Sequence, residues 1–388
     1  MAAAIIGWGH TRFGRQPEET LETLIIQAVN AAILHSGIEA KEIDEIVLGH
    51  FNAGFSAQEF TASLVLQADP ALRFKPATRV ENACASGSAA VFQAVRTVEL
   101  KAARIVLCVG AEKMTDATGP TVGENLLRAA YLAEESGIAG GFAGVFGILA
   151  ERYFQQYGDA SDALAMIAAK NHKNGVANPY AQMRKDLGYA FCREESDRNP
   201  RVAGPLKRTD CSLVSDGAAA IIVADTDSVD AVRAVAFRGR AHVQDFLPMS
   251  RRDVLALEGC TKAWRQTFEA AGVELNDLSF VETHDCFTIA ELLEYEAMGL
   301  TAPGDGARAL REGWTTIEGR LPVNASGGLK AKGHPIGATG VSMHVLSAMQ
   351  LCGDAPESMQ LKNPTLGGVF NMGGAGVANF ASILERIR

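Results

Sequence analysis

Two stretches of this chain repeat one pattern 235 positions apart. GIEAKEI, beginning at Gly37, and GVELNDL, beginning at Gly272, align without a gap in the glycine, the β-branched residue after it, the glutamate, an acid and a final aliphatic residue. Each follows a helical stripe: Leu21, Leu24, Ile25, Ala28, Val29 and Ala32 at i, i+3, i+4 spacing before the first, and Trp264, Phe268 and Ala271 before the second. Each then enters a strand, ending at Gly49 or His284. A helix followed by a strand is half of a β/α unit, so the repeat predicts a duplicated α/β chain. Two small-residue runs, SDGAAAIIVAD at 215–225 and GGAGVANFASIL at 373–384, read as strands near the end of each half. The segment between is different: glycine-rich at GIAGGFAGVFG, then helical through ALAMIAAKNHKN. It reads as an insertion covering one face. The expected divisions are 1–117 with 204–227 for the first half, 118–203 for the insertion and 228–388 for the second half.

At 388 residues the chain is long enough for two or three such units. Its 47% apolar and 21% charged residues and 39 glycines fit a packed, turn-rich protein and exclude a disordered or fibrous one. A formal charge of −9 argues against a general binder of nucleic-acid phosphates. The seven cysteines are odd in number and form no CxxC pair, which fits free thiols in a reducing compartment. MAAAIIGWGH has no basic leader region and no run approaches 18 apolar residues, so a cytoplasmic protein with no membrane partner is expected.

Three segments carry reactive side chains in unusual surroundings. In VENACASGSAA, Cys84 sits where a loop yields to a helix, whose free N–H groups and positive end should lower a thiol pKa. Its small neighbours would let a thioester come close to the backbone. In FVETHDCF, His284 and Cys286 follow a strand, at the end where α/β sheets bind ligands. In GHPIGATG, His334 precedes a helix and could take a proton from a thiol or hold the resulting ion pair. Cys108, inside RIVLCVG, reads as a buried strand residue, and Cys192, Cys211, Cys260 and Cys352 receive no role. Cys84, His284, Cys286 and His334 are metal-ligand types, but their spacing fits no structural zinc pattern, so no metal is expected. No GxGxxG follows a strand as a dinucleotide site requires.

Together these segments resemble the thiolase family. ENACASGSAA is similar to its acylated-cysteine motif, DCSLVSDGAAA to the end of its N-terminal half and GGLKAKGHPIGATG to its histidine motif, over a span from His10 to Gly376. The chain departs from ordinary thiolases twice. Where those carry Asn-Glu-Ala-Phe it reads His284, Asp285, Cys286, Phe287, and where they carry Cys-x-Gly it reads Asn371, Met372, Gly373. The paired change is similar to sterol-carrier-protein-type and archaeal acetoacetyl-CoA thiolases, with the proton-handling cysteine moved from 371 to 286.

The resemblance implies the thiolase fold: two duplicated βαβαβαββ halves in a layered α/β/α/β/α core with an inserted loop domain. It implies an acyl-CoA C-acyltransferase working by ping-pong through acyl-Cys84, on acetoacetyl-CoA or another 3-ketoacyl-CoA, with coenzyme A thioesters as substrates and no other cofactor. His334 would be the activating base and Cys286 the acid/base at the α-carbon. His284, with His334, would stabilise the enolate oxygen, and the N–H groups of Cys84 and Gly373 would form a second oxyanion hole. The chemistry needs both sets of donors because negative charge builds on two oxygens in turn. Ser212 falls where the family touches pantetheine, or else stabilises a turn. Phe287 and Phe146 would be pocket walls or core. Lys332, with Lys330, would attract CoA phosphates or form a solvated basic turn. Asn371 reads as a structural asparagine, binding a water. A homodimer or homotetramer is implied, and some relatives need a small OB-fold partner. Two other readings stay open: a ketoacyl synthase or hydroxymethylglutaryl-CoA synthase, which HDCF and GHPIGATG disfavour, and a non-catalytic acyl-CoA-binding scaffold.

Overall fold

The computed structural model describes residues 3–388. Its strands are β1 (Ala3–His10), β2 (Glu45–Gly49), β3 (Ala77–Val80), β4 (Ile105–Glu112), β5 (Arg201–Ala203), β6 (Leu206–Lys207), β7 (Gly217–Asp225), β8 (Val235–Gln244), β9 (Phe280–Glu282), β10 (Leu366–Gly373) and β11 (Ala378–Arg386). Nine form one sheet in the order β3-β2-β4-β7-β1-β8-β11-β10-β9, while β5 and β6 pair separately.

The pairing confirms the duplication. In the first half β2 runs parallel to β3 and β4, and β7 runs antiparallel to β4 and β1. In the second half β9 runs parallel to β10, and β11 runs antiparallel to β10 and β8. A parallel bridge between Val281 and Val323 stands where the second half would need its copy of β3. The halves meet where β1 and β8 pair at Ala4↔Ala236 and Ile5↔Val235.

Helices complete five layers. Leu21–Ser36 buries the expected stripe of Leu21, Leu24, Ile25, Ala28, Val29 and Ala32 against the outer face of the first half. Thr20 caps its start by accepting the Thr23 N–H at 3.1 Å, and Gly37 closes it at φ 75°. Helix Glu258–Ala271 covers the outer face of the second half. Between the half-sheets lie Ser86–Glu99 and Ile336–Cys352, the latter buried at every position from Ile336 to Leu351. These two central helices touch through glycine. A Cβ on Gly87 would lie 2.8 Å from the Gly337 carbonyl oxygen, and one on Gly340 would lie 2.1 Å from the Ser88 nitrogen. Their first turns therefore cross in backbone contact, which brings together the residues just before each helix, Cys84 and His334.

Two local readings need correction. GIAGGFAGVFG is mostly helix, Gly141–Tyr157, because small residues let it lie on β5: a Cβ at Gly147 would be 3.1 Å from the Ala203 carbonyl. The run 373–384 opens with the β10–β11 turn, where Gly374 and Gly376 take φ of 62° and 76°, and only then becomes strand. Helix Ser161–Ala177 is tied to the second half, with Asn171 Nδ2 donating to Asp285 at 2.7 Å and to Glu291 at 2.6 Å.

Candidate active site

The turn before helix Ser86–Glu99 is strained and stitched. Ala83 takes φ 47°, a left-handed conformation unusual for a residue with a Cβ. The Ser86 hydroxyl holds it, accepting the Asn82 N–H at 2.9 Å and donating to the Ala83 carbonyl at 2.7 Å. Cys84 is thereby presented into a cavity of about 370 Å³ whose wall includes Cys286, Phe287, His334, Ser212, Cys211, Arg208 and Phe142. Three chemically reactive groups from three separated motifs share that space.

Backbone bonds fix their relation. The Ser212 N–H donates to the Cys286 carbonyl at 2.8 Å, and the His334 N–H donates to the Leu213 carbonyl at 3.2 Å and to Ser215 Oγ at 3.0 Å. The DCSLVSDG segment therefore clamps the HDCF loop to the GHP turn. Asp285 does not face the chemistry; it accepts the N–H groups of Leu329 at 2.6 Å and Lys330 at 3.1 Å, locking its loop against the next segment. His284 stands edge-on to His334, ring centroids 5.2 Å apart at 82°. Cys84 Sγ and one ring nitrogen from each histidine all lie within 4.8 Å of one another. Among the described residues, neither histidine has a hydrogen-bond partner at Nε2.

Two family models match, the thiolase N-terminal domain over residues 3–227 and the thiolase C-terminal domain-like model over 241–386. The chain belongs to the thiolase family. It is 35% identical to the acetyl-CoA acetyltransferase of Methanothermobacter thermautotrophicus over 99% of both chains. It is 31% identical to human sterol carrier protein 2, over 90% of this chain and 66% of that protein. A solved structure titled an Ltp2-ChsH2(DUF35) aldolase shares the fold, with a TM-score of 0.82 at 22% identity over 100% of this chain and 98% of that one.

Of the residues that thiolase membership singles out, Cys84, Cys286, His334, Phe287 and Ser212 line the cavity, and His284 lies beside it. Phe146 takes the second of its two expected places, in the core behind the wall, stacked on Phe287 with ring centroids 4.5 Å apart. Lys332 is neither at a phosphate site nor in a solvated turn: it is fully buried, its Nζ donating to Ser342 Oγ at 3.1 Å, because the GHP turn folds inward between the half-sheets. Lys330 is 2% exposed and also not solvated. Two amides reach the Cys84 sulfur, its own and that of Gly374, one residue past Gly373. Gly373 permits close approach, since a Cβ there would lie 2.2 Å from the Asn82 carbonyl oxygen.

Electrostatics also differ from expectation. Burial pushes the Cys84 thiol up to about 12, outweighing the Gly374 N–H that pulls it down. Burial, helped by the Lys332 charge, takes His334 down to about 3. The pair at rest is thus thiol and neutral imidazole, not an ion pair. Cys286 is likewise held well above the ordinary thiol range by burial, with Cys84, Glu294 and Asp285 adding to it. His334 is the tautomer a base needs. Its Nδ1 is 2.7 Å from Thr339 Oγ1, whose own proton goes to the Pro335 carbonyl at 3.0 Å, so Nδ1 donates and Nε2 carries the lone pair.

Cys211 and Arg208, given no role from sequence, form part of the wall; Cys211 bridges to Phe287. The adjacency of Cys211 to Ser212 was the available signal. All seven cysteines are unpaired, as their number and spacing predict. No helix among the described residues is long and apolar enough to cross a membrane.

Proposed function

We propose that this protein is an acyl-CoA C-acyltransferase that cleaves and forms 3-ketoacyl-CoA through an acyl-Cys84 thioester. The observation that carries the reading is that Cys84, Cys286 and His334 face one cavity of about 370 Å³. That volume is near the lower end of small-molecule sites and favours short acyl groups such as acetoacetyl.

In thiolysis, His334 Nε2 takes the Cys84 proton as the sulfur attacks the 3-keto carbonyl. The tetrahedral oxyanion is met by backbone N–H groups at the Cys84 turn. Carbon–carbon cleavage leaves the acyl group on Cys84 and the enolate of acetyl-CoA. Cys286, held as the thiol, protonates that carbon while His284 donates a hydrogen bond to the enolate oxygen. The thiol of CoA then attacks the acyl-Cys84 carbonyl, giving its proton to the Cys286 thiolate, while Cys84 leaves and recovers its proton from His334; condensation is the same path in reverse. Ser212, Phe142 and Phe287 would flank the pantetheine and acyl portions. A cytoplasmic homo-oligomer is part of the proposal, and so is a small partner protein, since the aldolase neighbour is titled with a DUF35 component.

Intact-mass analysis after mixing with acetyl-CoA tests the reading. One acetyl adduct on the Cys84 peptide, absent in Cys84→Ala, is expected. A wild-type protein that forms no adduct would instead be a non-catalytic scaffold.

A further inference from the structure

Asn371 is buried on β10, at the place where ordinary thiolases carry their second cysteine. Its side-chain nitrogen Nδ2 makes two contacts, donating to the Cys84 carbonyl at 3.2 Å and to His284 Nδ1 at 2.8 Å. The direction of both follows from the first. A backbone carbonyl only accepts, so the atom facing it is the amide nitrogen; turning the amide over would set oxygen against oxygen. With the nitrogen so placed, the lone pair of His284 Nδ1 is occupied by Asn371. Burial, together with His334 and Lys332, holds the His284 ring neutral, so it has a single proton to place. That proton sits on Nε2, which is buried without a partner among the described residues, in a ring of which one nitrogen lies within 4.8 Å of Cys84 Sγ and of a His334 ring nitrogen.

We propose that Asn371 is a positioning residue that selects the Nε2–H tautomer of His284, making the ring a hydrogen-bond donor to the substrate enolate oxygen, and that the carbonyl of the nucleophile Cys84 orients Asn371 for this. No proton is transferred by this contact; His284 donates a hydrogen bond and keeps its hydrogen. Both departures from the ordinary thiolase pattern then form one device, the histidine at 284 supplying the donor and the asparagine at 371 aiming it. An aspartate at 371 would accept from Nδ1–H and reverse the ring, leaving a lone pair where the enolate oxygen arrives. What the donor acts on rests on the acyl-CoA reading above; the tautomer does not.

The test uses full-length protein labelled with ¹⁵N-histidine, the His284 signals being those lost in His284→Gln. In the wild type Nδ1 should show the shift of an unprotonated ring nitrogen and Nε2 that of a protonated one, and Asn371→Asp should exchange them. In thiolysis assays Asn371→Asp should lower kcat by about 10²–10³-fold, the loss for one oxyanion donor, with a much smaller change in KM and with Cys84 still acetylated. Asn371→Ala, which removes the donor without reversing the ring, should lower kcat in the same direction and serves if the aspartate variant does not fold. A wild-type His284 protonated at Nδ1, or an Asn371→Asp protein with unchanged shifts or with kcat within about threefold of wild type, overturns the proposal. A wild type that never acylates Cys84 would sink the enzymatic reading instead, while the ¹⁵N shifts would still decide the tautomer.

Discussion

Thr339 holds His334 in one orientation: the imidazole Nδ1–H donates to Thr339 Oγ1 at 2.7 Å, five residues along and one turn into the helix that His334 precedes. Thr339→Val keeps the shape and removes the acceptor. Losing a buried hydrogen bond of about 1 kcal/mol should slow acetylation of Cys84 roughly five- to tenfold in single-turnover mass measurements. An unchanged rate would mean that packing alone orients the ring.

Cys286 and Cys84 share a cavity, and the proposed mechanism gives them different steps. Cys286→Ala should still form the acetyl-enzyme, while thiolysis and condensation fall by about 10²–10⁴-fold, the usual size of a general acid–base contribution. Steady-state assays beside the intact-mass experiment separate the two steps. Full turnover by the variant would remove Cys286 from the mechanism.

The resting Cys84 thiol is raised to about 12, so its thiolate is scarce at neutral pH and grows with pH. Iodoacetamide alkylation at the Cys84 peptide should therefore be slow at pH 7 and rise about tenfold per pH unit up to pH 10. The sign is opposite to that of a thiol activated by a helix terminus, which would reach a plateau near neutrality. A plateau below pH 9 would show a preformed thiolate.

Gly373→Ala would set a Cβ 2.2 Å from the Asn82 carbonyl oxygen and 3.3 Å from the Ala378 Cβ, both on fixed backbone. We expect a loss of about 1–3 kcal/mol in thermal unfolding, together with slower acylation because the strained turn at Ala83 must shift. Gly119→Ala, where no atom lies within 4 Å of the added carbon, is the control and should leave Tm in place. Equal melting of both variants would contradict the close approach.

Where chemistry depends on near neighbours in the chain, it was legible. The helical stripe from Leu21 to Ala32, the strand at Glu45–Gly49, the repeat beginning at Gly37 and Gly272, and the positions of Cys84 and His334 just ahead of helices follow from local periodicity and turn residues. The motif set also carried the family. Less legible was the glycine-rich stretch from residue 137 to 147, which composition assigns to a loop and packing on Ala203 makes helical.

What the sequence by itself determined was the duplicated α/β architecture and the reactive side chains, since both are written in spacings of a few residues. Only the tertiary structure decided how those side chains behave. Lys332 looks like a surface charge until the two half-sheets close over it, and a thiol at a helix start looks acidic until burial removes the water that would stabilise its anion. Asn371 touches the carbonyl of Cys84, 287 positions away, and aims His284, 87 positions away. Desolvation and hydrogen-bond direction are sums over everything that surrounds an atom, and those surroundings exist only once distant segments have packed.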